Sequence, residues 1–563
     1  MTESAWILNQ PRSEARYLST ELGIPLEIAQ ILTNRGVSTL EVAQKFLFGS
    51  LKDLHDPYLM KGMREAVERI REAIAKREKI IIFGDYDVDG ILSVVILIKA
   101  LESLGADADY FIPDRLKKGY GIKDEYVEIV LEREAHLVIS VDCGIKATQF
   151  AKRAREKGID IIITDHHQPG SRLPEARAIL NPVLGDSGYP DKRLAGIGVV
   201  FKLLQALFEI EGKPSSLLPY LKLVSIGTIA DIADLRGENR LFVKFGLKGL
   251  ENVSNTGLQS LMEVCGLSGK RVTVGDVGFR IGPRINAAGR MGMTDLAVQL
   301  FFADSVPEAD ELVHHLDKLN SERQKTEERI HKQALGRIKA RSLEKRYKFL
   351  ILGCEEWHRG VIGVVTSRLK DFYHRPVILF SYKDGKAYGS GRSVSEIPLI
   401  DSLEECKDFF LSYGGHTHAA GCVLALEDMA AFKEAINAFA SSRIDDEHLR
   451  RKIYIDAIID FTDINLSLIE NYSLLSPFGA GNPKPVFSTQ NAVVVGEPHK
   501  IQGKHSRFLV RQNGKIFKAL GWGRDDWAEN LQKGDRIDMV YSLQFSEYLG
   551  EEEISLSLED IKR

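Results

Sequence analysis

Three stretches of this chain end an apolar run on side chains that can bind a cation. Ile161, Ile162 and Ile163 lead into Asp165-His166-His167, followed by Gln168, Pro169 and Gly170. Ile80 to Phe83 lead into Gly84-Asp85-Tyr86-Asp87-Val88-Asp89-Gly90, and Leu137 to Val141, interrupted only by Ser140, lead into Asp142-Cys143-Gly144. A β-branched run that stops at turn residues predicts a buried strand. Parallel strands of an open α/β sheet bring their carboxyl ends side by side, and that crevice is where such folds bind ligands. Carboxylates and imidazoles converging there predict a metal centre, because clustered carboxylates repel one another unless a cation neutralises them. The Asp85, Asp87, Asp89 pattern also opens an EF-hand loop. That loop needs Glu at its twelfth position, and counting from Asp85 the twelfth residue is Ile96, so the calcium-loop reading fails. A fourth contributor is Gly227-Thr228-Ile229-Ala230-Asp231, where an apolar run from Leu221 again meets a carboxylate. Carboxylate and imidazole donors without thiolate suit Mn²⁺ or Mg²⁺ better than structural zinc. A pair of such ions would activate water and stabilise an in-line attack at phosphorus.

These residues need a scaffold, and the hydrophobic pattern supplies one. From about residue 78 to 265, strands alternate with amphipathic helices, which predicts right-handed crossovers and a doubly wound, mostly parallel sheet. A long helix is expected from near Pro307 towards Leu343, with Leu312, Leu316, Leu319, Ile330, Leu335 and Ile338 on one packed face and charges on a solvated one. A second α/β unit follows, from a strand at Lys348–Leu352 through the glycine-rich segment at Gly414. The last block lacks helical periodicity and reads as short strands at Val493–Val495, Phe508–Val510, Ile516–Leu520, Ile537–Tyr541 and Ile554–Leu556, which suggests a small β-barrel of the oligonucleotide-binding (OB) kind. The expected division is an N-terminal helical segment over 1–75 with no identifiable chemistry, a catalytic α/β domain over 76–304, a connecting helix over 305–345, a second α/β domain over 346–447 and a barrel over 448–563.

Length and composition agree with several globular domains. The 563 residues allow roughly three to four domains at about 150 residues each, and 27% charged with 44% hydrophobic residues excludes gross disorder. A formal net charge of −4 does not decide for or against nucleic acid, since a phosphate-binding groove needs only local positive charge. Five scattered cysteines without a CxxC exclude a cysteine zinc finger and fit a reducing compartment. No basic leader and no uncharged run long enough to span a bilayer is present, so the expectation is a cytoplasmic protein without membrane attachment.

Taken together in this order, the stretches Gly84–Gly90, Val141–Gly144, Thr164–His167 and Gly227–Asp231 resemble the four successive motifs of the DHH phosphoesterase superfamily. Within it the chain is similar to the RecJ family of single-strand-specific 5′ to 3′ DNA exonucleases. The similarity runs over nearly the whole length, because Ile281–Arg290 (IGPRINAAGR), Trp357–Gly363 (WHRGVIG), Ser390–Ser393 (SGRS), Gly414–Gly421 (GGHTHAAG) and Pro477–Phe487 also match that family. The resemblance implies a DHH domain, a DHHA1 domain and an OB fold. It implies that Asp87, Asp89, Asp142, His166 and Asp231 hold two Mn²⁺ or Mg²⁺ ions. Asp142 would bridge them, with Asp87 on one ion and Asp89, His166 and Asp231 on the other. His167 and His416 would lie near the scissile phosphate, and Asp85 outside the ligand set. Cys143 stands where many relatives have Asn, and next to a ligand on a strand its thiol is expected to point away.

The same resemblance implies that Ser390 and Arg392 hold the 5′-terminal phosphate with help from Arg284, in keeping with small residues that admit close approach and a guanidinium that can grip phosphate with two bonds. Arg115 and Tyr120, in the stretch Phe111–Gly121, offer a cation and a stacking ring beside the crevice, as a single strand requires. Lys500, Lys504, His505, Arg507, Phe508 and Trp522 interleave charge with aromatics in the same way, with core packing an equal reading for Phe508 and Trp522. The expected activity is release of 5′-mononucleotides from single-stranded DNA in recombination and repair, by a monomer working with a single-strand DNA-binding protein and a helicase. Three alternatives remain open. They are a DHH-type phosphodiesterase acting on short oligoribonucleotides or cyclic dinucleotides, an inactive DHH scaffold, and a metal-stabilised α/β protein.

Overall fold

The structure, a computed structural model, describes residues 4–113, 121–445, 447–548 and 551–563. It divides into two compact units, one made of Met1–Leu54, Asp234–Leu241 and Arg451–Arg563 and the other of His55–Ala233 and Phe242–Arg450. The N-terminal helical stretch is therefore shared out: helices Ser13–Leu22, Leu26–Asn34 and Leu40–Phe48 belong to the first unit, and Met63–Lys76 to the second.

The second unit contains two sheets. The first has five parallel strands, β1 (Lys79–Gly84), β2 (Asp107–Phe111), β3 (Leu137–Val141), β4 (Asp160–Thr164) and β5 (Ala178–Leu180), in the order β2-β1-β3-β4-β5. Burial on both faces explains why these strands read as continuous apolar runs. Ile81, Phe83, Val138, Ile161 and Ile163 pack on one face with Tyr126, Val130 and Phe150, while Ile80, Ile82, Ile139 and Ile162 are buried on the other. That other face carries α1 (Val88–Ser103), apolar nearly all round, and α2 (Gly196–Ile210). The order changes direction between β1 and β3, and doubly wound sheets bind ligands at such a switch point.

The second sheet consists of β6 (Leu350–Cys354), β7 (Val377–Lys383), β8 (Lys386–Arg392), β9 (Phe410–Gly415) and β10 (Ala419–Ala425), in the order β9-β10-β8-β7-β6. Only the β6–β7 pair is parallel. A long helix, Val306–Ala340, precedes it; its Ser305 cap accepts from the Glu308 N–H, and Pro307 occupies the first turn, where a missing N–H costs nothing.

In the first unit, β11 (Phe487–Val494), β12 (His505–Gln512), β13 (Lys515–Gly521), β14 (Arg536–Tyr548) and β15 (Glu551–Lys562) pair in the order β11-β14-β15-β13-β12, and β12 returns to β11 to close a five-stranded barrel. The block also holds a helix, Leu466–Leu474, that its strand-like pattern did not announce. The barrel core is continuous with the N-terminal helices: Ala15, Leu18, Ile28, Ile31, Leu32 and Phe46 share one cluster with Phe461, Tyr472, Phe487 and Tyr541. Residues Ala5–Leu8 add a parallel strand to Lys452–Ile455.

Candidate metal centre

The carboxyl ends of β1, β3 and β4 deliver the acidic and imidazole side chains to one place. Asp142 follows β3 in the left-handed backbone region, φ 58°, which a residue with a side chain seldom adopts. Gly196, at the start of α2, makes room for it, since a Cβ there would lie 2.6 Å from Asp142 Oδ1. Asp89, in the first turn of α1, accepts from the backbone N–H groups of Gly196 and Ile197, both at 2.8 Å, so the amino end of α2 holds its carboxylate. Asp87 caps α1 by accepting from the Gly90 N–H at 3.1 Å.

The fourth contributor departs from the strand-end arrangement of the other three. Leu221–Ala230 is a buried helix, α3, and Asp231 stands at its carboxyl end rather than at the end of a strand. It still reaches the cluster, with Asp231 Oδ2 3.9 Å from His166 Nε2.

Donor atoms gather in three overlapping groups, each within 4.8 Å: Asp89, His166 and Asp231; Asp85, Asp87 and Asp142; and Asp142, His166 and His167. Asp85 thus lies close to Asp87 and Asp142. His166 Nε2 lies 3.1 Å from Asp142 Oδ1 and 4.0 Å from Asp89 Oδ2. Both Asp142 Oδ1 and His166 Nε2 are buried without a hydrogen-bond partner. Buried polar atoms are normally satisfied, so two orphans facing each other among carboxylates fit a cation between them. The protonation of the metal-free cluster agrees. Burial, with Asp231 next, pushes Asp89 up to about 7; burial and Asp87 push Asp231 up to about 7; and burial with the neighbouring aspartates holds Asp142 well above the usual carboxylate range. Protons occupy places that cations can take.

Asp165, the first residue of the motif, has a different task. Its Oδ1 accepts from the His166 and His167 N–H groups and lies 2.8 Å from His167 Nδ1, while Oδ2 accepts from the Ile145 N–H. Although burial works against it, this pairing raises His167 to about 9, which favours the cationic imidazole. Cys143 points away into the core, its Sγ 3.8 Å from the Phe83 carbonyl, and burial pushes the thiol up.

The remaining expected site residues fall as follows. Ser390 and Arg392 lie together at the end of β8, with Arg392 Nη1 3.4 Å from Ser390 Oγ. They face Gly363 near the start of α6 (Ile362–Tyr373), where a Cβ would meet Ser390 Oγ at 3.0 Å and Arg392 Nη2 at 3.6 Å. His416 lies in the β9–β10 turn; burial together with the charges of Lys146, His167 and His166 lowers its pKa, which places it within electrostatic reach of the centre. Arg284, on α4 (Gly282–Met291), is turned to α5 (Val306–Ala340), donating to Asp317 at 2.8 Å and to the Arg280 carbonyl. Arg115 and Tyr120 lie outside the described residues. Phe508 is a barrel-core residue, Lys500 pairs with Asp525 and Glu529, and Trp522 is half exposed with its edge against His505. The sequence reading missed Gly196 and Ile197, whose roles are backbone N–H groups and an absent side chain, and noted Gly363 only as part of a motif. The run Ala195-Gly196-Ile197-Gly198 was the available signal.

The sequence matches the DHH family, N-terminal domain, over residues 79–228, the DHHA1 domain over 346–442 and the RecJ OB domain over 455–560. Fold and site together define a DHH-type phosphoesterase. The chain is 36% identical over 560 residues to the single-stranded-DNA-specific exonuclease RecJ of Bacillus subtilis, covering 99% of this chain and 70% of that protein. It is 33% identical over 540 residues to RecJ of Haemophilus influenzae, covering 92% and 93%. Among solved structures, RecJ in complex with Mn²⁺ from Thermus thermophilus matches with a TM-score of 0.85 at 32% identity, covering 99% of this chain and 79% of that one. The Mg²⁺ complex from the same organism matches with a TM-score of 0.78 at 30% identity, covering 99% and 78%. The chain belongs to the RecJ family of single-stranded-DNA-specific exonucleases.

Proposed function

We propose that this protein is a metal-dependent, single-stranded-DNA-specific exonuclease that works from the 5′ end and releases 5′-mononucleotides. The observation that carries the reading is the facing pair of unsatisfied buried atoms, Asp142 Oδ1 and His166 Nε2, within a carboxylate cluster of a RecJ-family chain. Asp89, His166 and Asp231 would hold one Mn²⁺ or Mg²⁺ ion and Asp87 another, with Asp142 between them. When bound, such a pair lowers the pKa of water and stabilises charge on the attacking and leaving oxygens.

The chain's own residues do the rest. His167, kept protonated by Asp165, donates a hydrogen bond to an oxygen of the scissile phosphate. Ser390 and Arg392 hold the terminal 5′-phosphate beside the amino end of α6, which favours negative charge. Their neighbour His416, kept neutral, closes on the reacting group from the second sheet. Domain limits at 76–304, 346–447 and 448–563 belong to this reading, as do a cytoplasmic location, a monomeric state, a role in recombination and repair, and partnership with a single-strand DNA-binding protein and a helicase. Among the described residues no helix is long and apolar enough to cross a membrane.

The test is nucleotide release with Mn²⁺ from 5′-labelled single-stranded DNA, run beside a 3′-labelled copy, a blunt duplex and the Asp142→Ala variant. Immediate release of labelled mononucleotide from the 5′ label alone, lost with the duplex and the variant, is expected. Folded, metal-loaded protein that releases nothing from any DNA would end the exonuclease reading.

A further inference from the structure

Helix α5 buries three polar side chains near its middle. Asn320, Arg323 and Glu327 are 3%, 8% and 9% exposed and interrupt the packed stripe of the helix between Leu316 and Ile330. Arg323 donates from Nη1 to Glu327 Oε2 at 2.7 Å, and from Nε and Nη2 to Asn320 Oδ1 at 3.3 and 3.1 Å. The other Glu327 oxygen accepts from Arg368 Nη1 of α6 at 3.1 Å. A buried carboxylate between two guanidinium groups is a strong directional grip, and removing one partner leaves a buried charge uncompensated.

Its position gives the grip a purpose. On one side of it α5 buries Ala309, Val313 and Leu316; on the other, Ile330, Ala334 and Ile338 enter a core with Ile362, Val365 and Leu369 of α6. The start of α6 touches the pocket assigned above to the 5′-phosphate: Gly363 backs Ser390 and Arg392, and Thr366 Oγ1 lies 3.2 Å from the Ser390 carbonyl. The same helix α5 holds Arg284 through Asp317. Through α4, whose Gly289 leaves room for the Tyr86 carbonyl inside the Asp85–Asp89 stretch, α5 also reaches the carboxylate cluster.

We propose that Glu327 is a positioning residue: by gripping Arg368 it fixes the register of α6 on α5, and with it the span between the Ser390–Arg392 pocket and the carboxylate cluster. The inference rests on the exonuclease reading. A span of one nucleotide sets the first phosphodiester at the cluster when the terminal phosphate is seated, and a loosened α6 lets the second linkage reach it.

The experiment compares the full chain with Arg368→Ala, Arg368→Lys and Glu327→Gln. Arg368 is the primary variant because its side chain is 44% exposed, so its truncation leaves the core intact. Three quantities are read: product length, preference for 5′-phosphorylated over 5′-hydroxyl DNA, and amide hydrogen exchange. Arg368→Ala and Glu327→Gln are expected to release dinucleotide with mononucleotide and to lose roughly tenfold or more of the 5′-phosphate preference, since small misplacements cost that much. Exchange should quicken in residues 362–373 but not in β1, β3 or β4, and Arg368→Lys should restore part of each. Mononucleotide alone with unchanged preference, or exchange that is unchanged or quickened everywhere, would overturn the inference. Wild-type protein inactive on all DNA would remove the exonuclease reading and the ruler role with it, whereas exchange would still report the grip.

Discussion

Asp165 commits both carboxylate oxygens to three backbone N–H groups and the His167 ring, so it orients the centre without being grouped with the ligands. Replacing it by Asn keeps the shape and removes the charge. Partners that orient catalytic groups in this way typically contribute about 10–100-fold. We expect Asp165→Asn to lower kcat by that order, and to bring the His167 titration down from about 9 towards ordinary imidazole values, observable by NMR in the metal-free protein. Asp89 and Asp231 make stability depend on pH. Both rise from an ordinary 3.8 to about 7 in the folded chain, so the fold retains their protons where the unfolded chain has lost them. Their contribution to stability is complete below pH 3.8 and is lost as the pH rises through about 7. Thermal melts of EDTA-treated protein should therefore show these groups lowering Tm as the pH rises from about 4 to 7 and levelling above it, and added Mn²⁺ should raise Tm more at about pH 8 than at about pH 6. Equal metal-induced shifts at the two values would contradict the assignment.

Among elements, helix α4 shows how a motif can act by what it lacks. A Cβ on Gly289 would sit 2.1 Å from the Tyr86 carbonyl, inside the Asp85–Asp89 stretch, and a Cβ on Gly360 would sit 2.7 Å from the Arg290 carbonyl. Small residues thus allow α4 to touch both the first motif and the approach to α6. We expect Gly289→Ala to destabilise the protein by about 1–3 kcal/mol, as overpacking does, and to weaken Mn²⁺ binding by displacing Asp87 and Asp89, measurable by calorimetry. The strand ends of β1, β3 and β4 were legible because β-branched runs stop abruptly at turn residues. Asp231 was legible as a ligand candidate but not as a helix end, because a short, wholly buried helix is as continuously apolar as a buried strand. The Arg323–Glu327 grip was legible only as polar residues interrupting the packed stripe between Leu316 and Ile330; that Arg368 comes from a second element to meet Glu327 was not.

At the scale of the whole molecule, Arg240 ties together sequence-distant parts of the barrel unit. It is 2% exposed, lies over the Phe46 ring at 3.9 Å, and donates to the carbonyls of Phe46, Leu474, Leu475 and Ser476. Burial lowers its pKa to about 9. Truncation orphans several buried acceptors, each costing about 1–3 kcal/mol, so Arg240→Ala should lose roughly 3 kcal/mol or more. Three of the four tryptophans, Trp6, Trp522 and Trp527, report on this unit, and their fluorescence should show the earlier melt. Unchanged melting would show that the carbonyls find water instead. The sequence by itself determined the local facts: which runs become strands, which carboxylates and imidazoles end them, and that oxygen and nitrogen donors without thiolate call for a hard divalent ion. These depend on periodicity, turn chemistry and donor type, which neighbouring residues carry. Only the tertiary structure decided that helices from the first fifty residues complete the barrel core, that the amino end of α2 holds Asp89, and that α5 grips α6 through buried charge. Those arrangements depend on which distant surfaces meet, and burial by a distant partner leaves no mark on the spacing of nearby residues.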